Sequence, residues 1–335
     1  MDWLKKILFL AFVSSLFITC SEDAPAPKPV QKVVSAPFTP VAKPVFSPDS
    51  AYEYIARQVE FGPRVAGMAS HAACAKYLTS KMKSFGWEVQ IQKTTVTAFD
   101  GNKLPIQNII SSFNPGNPER ILLFAHWDTR PFADRDDKDQ SKPILGANDG
   151  ASGVGVLMEL ARLIGLDSLK PTIGIDIIFF DAEDYGQPSG LMKGQNGDTW
   201  CLGSQYWSKN LHQENYTARY GILLDMVGAK DAVFPREAGS IRYNAKLVDQ
   251  VWYFAKKLGY GKYFINEVTR GGITDDHVPV SENAGIPSID IIHYHPFKRD
   301  FGHFHHRHSD NMEIIDKSTL SAVGITMLEV IYREK

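Results

Sequence analysis

Cysteine is nearly absent from this 335-residue chain: there are three, Cys20, Cys74 and Cys201. Three thiols cannot staple a disulfide-framework fold, so at most a single bridge between Cys74 and Cys201 is available to the folded part. An excess of charge is missing too. With 36 basic and 38 acidic residues the formal net charge is -2, which leaves no electrostatic footprint for nucleic acid and excludes that partner class. Long apolar runs are also lacking, because Ile7–Thr19 (ILFLAFVSSLFIT) is too short to span a bilayer comfortably as a permanent helix. No internal repeat is present. What remains is a chain with 44% hydrophobic residues, enough for one large core, and a concentration of histidine: five of the ten lie between His295 and His308.

The N-terminus reads as a targeting segment, with Lys5 and Lys6 ahead of the apolar run and Cys20 directly after it. This resembles a bacterial lipoprotein signal, in which Cys20 becomes the lipidated first residue, and Ser21-Glu22-Asp23 resembles the acidic export tag of surface lipoproteins. Ordinary signal-peptidase cleavage, or an uncleaved anchor, is the alternative. Seven prolines between Ala24 and Pro48 then read as an extended tether. The expected organisation is a signal segment over 1–20, a tether over 21–49 and a folded domain over 50–335, exported to the periplasm or cell surface.

Within the domain, apolar periodicity predicts helices at 51–61, 68–85, 151–164, 202–211, 245–258 and 318–333. Strands are expected at 87–96, 106–112, 121–127, 173–180, 221–228 and 287–294. Their alternation predicts a single α/β domain with a twisted, mostly parallel sheet and helices on both faces. In such sheets the functional crevice lies beyond the carboxyl ends of the strands. His126, Glu183 and Asp184 fall at such ends.

The stretch GANDGASGVG, Gly146–Gly155, places Asp149 where a glycine-rich turn feeds a helix. An acid there is by itself an N-cap. Its company changes the reading: His126-x-Asp128, Glu183-Asp184, Asp225 and a histidine of HFHHRHSDN (303–311) complete an oxygen and nitrogen donor set without thiolate, which suits zinc. A catalytic zinc needs three protein ligands, an open position and a nearby carboxylate that moves protons. Adjacent acids at 183 and 184 can divide those tasks.

In order, HWD, GANDGASG, FFDAED, LLDMVGA, DDHVP and HRHSDN resemble the zinc-dependent exopeptidase superfamily, and more narrowly its animal-type glutaminyl cyclase branch. NIISSFNPG (108–116), VGAKDAVFP (227–235) and GGITDDHVP (271–279) are similar to cyclase segments. The resemblance implies one zinc on Asp149, Asp184 and His306. It makes Glu183 the acid/base carboxylate, with Asp225 and Asp275 as its partners and Asp276 as the alternative to Asp275. It also implies substrate contacts from His126, Trp200, Phe301 and His305, with Trp207 competing for the indole role and Phe297 and Phe304 for the aromatic one. The implied substrate is a peptide or protein with N-terminal glutamine, closed to pyroglutamate with loss of ammonia. The rival reading is a secreted di-zinc aminopeptidase using His126 and Asp225 as further ligands; a surface lipoprotein that only binds is the third.

Overall fold

Two runs in which every residue is buried, Arg120–His126 and Gly174–Phe180, form the central strands β3 and β4 of a computed structural model that describes residues 38–188 and 199–335. The signal segment, Cys20 and most of the expected tether lie outside the described residues. Helices α1 (Pro48–Glu60) and α2 (Ala69–Ser84) come first, followed by strands β1 (Glu88–Thr97) and β2 (Lys103–Phe113) and then β3. After β3 come α3 (Ala151–Leu166), β4, α4 (Leu202–Lys209), β5 (Gly221–Asp225) and β6 (Phe234–Arg236). The chain continues through α5 (Ala238–Lys257), β7 (Phe264–Val268), α6 (His277–Glu282) and β8 (Ser288–Ile292), and ends with α7 (Lys317–Arg333).

The main sheet has the order β1-β2-β4-β3-β5-β8. Its four strands β4, β3, β5 and β8 are parallel, and β1 and β2 add to the β4 edge antiparallel. A tight connection makes the hairpin, with the Ala98 N–H bonded to the Asn102 carbonyl and Gly101 at φ +85°. Both faces are covered. Leu122, Phe124, Ile178, Phe180 and Leu223 pack with Trp207 of α4 and Val280 of α6, whereas α3 lies over Ala125 and Leu224, against α1 and α7. Continuous burial of β3 and β4 follows from this double cover.

Some details depart from periodicity alone. Helix α5 starts at Ala238 rather than at Ala245, because the Glu237 carboxylate caps it, accepting from the Gly239 and Ser240 N–H groups. Asn244 then breaks the helical geometry at φ -154° and its Oδ1 accepts from the Leu247 N–H at 3.1 Å, restarting the helix. Only the second half carried the expected pattern. The short pair β6–β7 and the six-residue α6 had no detectable period.

The segment leading into α1 is held down. Phe46 is buried where Gly324 of α7 leaves room for its ring. Glu329 of α7 accepts from the Val41 N–H at 3.2 Å and pairs with Lys43 and Arg333, and the Ser47 N–H reaches Glu159 of α3 at 3.1 Å. Among the described residues no helix is long and apolar enough to cross a membrane.

Glycine matters most where α3 meets the sheet. A β-carbon at Gly153 would stand 2.0 Å from the Leu224 carbonyl oxygen, so the helix approaches β5 only because that position is bare. Gly153→Ala is expected to destabilise the domain by roughly 2–3 kcal/mol through overpacking against backbone that cannot yield. A urea midpoint unchanged from the parent protein would count against this close approach.

Candidate active site and metal centre

The parallel strands deliver their carboxyl ends to one place. His126 ends β3, Asp181–Asp184 follow β4, Asp225 ends β5, and the turn after β3 brings Asp149 to the start of α3. His126 is buried with Nε2 at 3.1 Å from Asp149 Oδ1 and 3.2 Å from Asp225 Oδ1, while Nδ1 lies 3.5 Å from Asp128 Oδ1. Burial alone would lower its pKa, but the three carboxylates raise it well above the ordinary value. The imidazole bridges the acids. It sits behind Asp149 and Asp225, outside the cavity lining, so its placement differs from the substrate contact expected of it.

Asp149 is not a side-chain cap. Gly150 occupies the N-cap position of α3 with φ +92°, and no side chain caps the helix. Asp310 grips the turn instead, its carboxylate accepting from the N–H groups of Asn148 (2.7 Å) and Asp149 (3.0 Å). Burial opposes ionisation of Asp149, but the hydrogen bond and charge of His126 hold its pKa below the usual carboxylate range. Asp128 fixes the next loop in the same way, accepting from the backbone N–H of Glu183 (3.0 Å) and Asp184 (3.2 Å).

Three donors then converge. His306 Nε2 is 3.3 Å from Asp184 Oδ1 and 4.0 Å from Asp149 Oδ2, and its Nδ1 faces Asp134 at 3.4 Å, which orients the ring. Asp149 Oδ2 and both carboxylate oxygens of Asp184 are buried without a hydrogen-bond partner. Buried lone pairs left unmatched beside an imidazole are what a cation site requires, and the carboxylate and imidazole set fits zinc. The neighbouring His305 also has Nε2 at 4.0 Å from Asp149 Oδ2, but its Nδ1 accepts from Arg135 at 2.8 Å and, of the two histidines, only His306 pairs with Asp184. Donor atoms lie within 4.8 Å of one another in Asp149, His305 and His306, which Asp184 joins through His306, and in a second group, His126, Asp149 and Asp225.

Beside these donors lies a cavity of about 760 Å³ lined by Asp149, Glu183, Asp184, Asp225, Asp275 and His306 among others. Glu183 is pushed well above the ordinary carboxyl pKa, by burial first and then by the charges of Asp275, Asp184 and Asp276, with His126 opposing. Asp275 is raised by burial and by Asp225 and Asp276, and burial brings Asp225 to about 6 despite its bond to His126. Of the two tandem acids, Asp275 faces the cavity, while Asp276 turns away to accept from the Ser204 hydroxyl at 2.5 Å.

The aromatic alternatives also separate. Trp200 lines the cavity and stacks on His306 with 5.7 Å between centroids and 14° between planes, whereas Trp207 is buried in the core against Phe180 and Tyr216. Phe301 lines the cavity against His305 and Tyr294; Phe304 is buried and Phe297 is exposed outside it. Cys74 and Cys201 are both buried and free, so the bridge that composition allowed is not made. Sequence reasoning missed Arg130, which is fully buried, donates to the Asp184 carbonyl at 2.9 Å and holds Asp134 at 2.6 Å. The charged loop after β3 was its only signal.

Comparison with known proteins places this arrangement. The model of peptidase family M28 matches residues 108–331. A solved Zn-dependent exopeptidase from Parabacteroides distasonis is 54% identical, over 88% of this chain and 100% of that one, with a TM-score of 0.84. A Bacteroides thetaiotaomicron glutaminyl cyclase bound to N-acetylhistamine is 51% identical with the same coverage and TM-score. Among curated proteins, a Drosophila melanogaster glutaminyl-peptide cyclotransferase is 26% identical over 78% of this chain and 75% of its own length.

The orphaned oxygens imply that metal and fold are linked. Binding to the folded state alone adds stability by mass action, about 4 kcal/mol at a thousandfold excess over Kd. Zinc should therefore raise the melting temperature of metal-stripped protein by several degrees. Asp184→Asn and His306→Ala should abolish most of that rise, and an equal rise in both variants would remove these residues from the ligand set.

Proposed function

The chain belongs to peptidase family M28 and is an enzyme of the glutaminyl-cyclase type, and from that premise we propose how its own residues carry the reaction. The observation that carries the proposal is the buried pair Glu183–Asp184, one carboxylate with unmatched oxygens beside His306 and the other with a strongly raised pKa facing the cavity. Asp149, Asp184 and His306 would hold one zinc ion. When bound, zinc supplies Lewis-acid polarisation of a substrate carbonyl at its open position.

The substrate is a peptide or protein beginning with glutamine, whose α-amine attacks its own γ-carboxamide carbon. A C–N bond forms in the ring and the C–N bond to the amide nitrogen breaks. The amine loses one proton and the departing ammonia gains one. Glu183 carries that proton, and a pKa raised towards the working pH suits a group that must both accept and donate. The neighbouring charge of Asp275 favours the protonated form of Glu183, and Asp225 would join it as a partner in the proton transfer. Because attack is intramolecular, the rest of the site need only hold the near-attack geometry and keep water out. Trp200, Phe301 and His305 line the cavity for that purpose.

A specific observation favours a second reading. His126, Asp149 and Asp225 form the second three-donor group, and an ion there would make a two-metal aminopeptidase. Metal content separates the two: the cyclase holds one zinc per chain, whereas two zincs with release of free N-terminal amino acids would overturn the cyclase reading. Incubated with a glutamine-initiated peptide, the protein should produce a loss of about 17 Da, one ammonia, with every peptide bond intact. Glu183→Gln should retain zinc and lower kcat at least about a hundredfold. Turnover at the parental rate would end the assignment of Glu183.

The same proposal includes delivery. Cys20 would carry a lipid anchor and the expected tether, shortened at its end because Thr39–Ser47 is fastened to the domain, would hold the catalytic domain at a periplasmic or outer surface. Cys20→Ser should then shift the protein from the membrane fraction to the soluble fraction and abolish labelling by a radioactive fatty acid. Unaltered partitioning would favour a signal peptide or anchor of the ordinary kind.

A further inference from the structure

Cys201 has no part in the reaction as described, yet it is tied to Glu183 twice. Its backbone N–H donates to the Glu183 carbonyl at 3.0 Å, and its Sγ–H donates to Glu183 Oε1 at 3.2 Å. Among the described residues this thiol makes the only hydrogen bond to the Glu183 carboxylate. A buried free cysteine ordinarily serves as a small apolar filler. Here its surroundings are polar instead, with Sγ and carboxylate oxygens of Glu183 and Asp275 lying within 4.8 Å of one another.

The backbone sharpens the point. Cys201 has φ +58° and ψ +36°, the left-handed region, and stands immediately before α4. A residue with a β-carbon is strained there by roughly 1 kcal/mol, whereas glycine adopts it freely. Strain retained at a site signals that the side chain is needed. Burial and the adjacent acids push the thiol pKa well above its ordinary value, so the group stays a hydrogen-bond donor.

We propose that Cys201 is a positioning residue for proton transfer: its thiol fixes the Glu183 side chain through Oε1, leaving the other carboxyl oxygen to exchange the proton with substrate. This rests on the cyclase reading, because that reading assigns the proton to Glu183. A glutamate with three rotatable bonds beyond its α-carbon would otherwise swing within the cavity, and misplacement by about 1 Å can cost up to about a hundredfold in rate. A hydroxyl could replace the thiol as donor; a methyl group or a hydrogen could not.

The test compares Cys201→Ser, Cys201→Ala and Cys201→Gly in the zinc-loaded protein with a glutamine-initiated peptide, measuring kcat, KM, zinc content and melting temperature. Cys201→Ala is expected to lower kcat about tenfold or more, with KM and zinc within about twofold of the parent. Cys201→Ser should stay within about threefold of it. Cysteine, serine and alanine share the same backbone strain, so the difference between these variants reports the hydrogen bond. Cys201→Gly, with its backbone relaxed, should lose kcat as alanine does while melting no lower. Parental kcat in the alanine and glycine variants, or a loss that follows melting temperature and is not rescued by serine, overturns the proposal. A parent protein that releases no ammonia removes the cyclase reading, and the positioning role with it, whereas an active parent with an equally active Cys201→Ala removes the positioning role alone.

Discussion

Mutual repulsion among buried carboxylates is the constraint on which this structure turns. Asp149, Glu183, Asp184, Asp225 and Asp275 are all buried around one cavity, and five such charges cannot coexist out of water without compensation. The protein answers in three ways. His126 lies between Asp149 and Asp225, His306 meets Asp184, and burial with neighbouring acids drives Glu183 and Asp275, and less far Asp184 and Asp225, towards their neutral forms. Electrostatics thus separates Asp149, held below the usual carboxylate range by His126, from Glu183, which burial and its neighbours raise well above it.

That balance requires loops whose position is certain. Asp128 and Asp310 provide it by spending their carboxylates on pairs of consecutive backbone N–H groups, one pair under Glu183–Asp184 and the other under Asn148–Asp149. Arg130 extends the lattice from the Asp184 carbonyl to Asp134, which in turn sets the His306 ring. The residues proposed to touch metal or substrate are thereby held by others outside those roles.

Much of this was legible in the chain. Buried strands that end in acids, as at FFDAED and ILLFAHWD, stood out because several such ends, with a histidine among them, supply one donor set. The parallel sheet and the cluster of acids followed from such patterns. Choices between near neighbours did not: Asp275 or Asp276, His305 or His306, Trp200 or Trp207. Side-chain direction there depends on backbone turns, and Ala182, Cys201, Met226 and His306 all adopt positive φ without being glycine. No residue type announces that conformation, which is imposed by surrounding contacts. Asp149 does not cap α3 for a related reason: Gly150, at φ +92°, takes the N-cap position one residue later.

The attachment of the N-terminal segment has a mechanical side. Between Thr39 and Ser47 the chain is fastened to Glu329 and Arg333 of α7 and to Glu159 of α3, and none of these residues lines the cavity. Tension applied through the incoming chain would load two helices side by side before any strand end was strained. The points that would first meet such a pull, Glu329, Arg333 and Glu159, lie away from the residues proposed to carry the reaction.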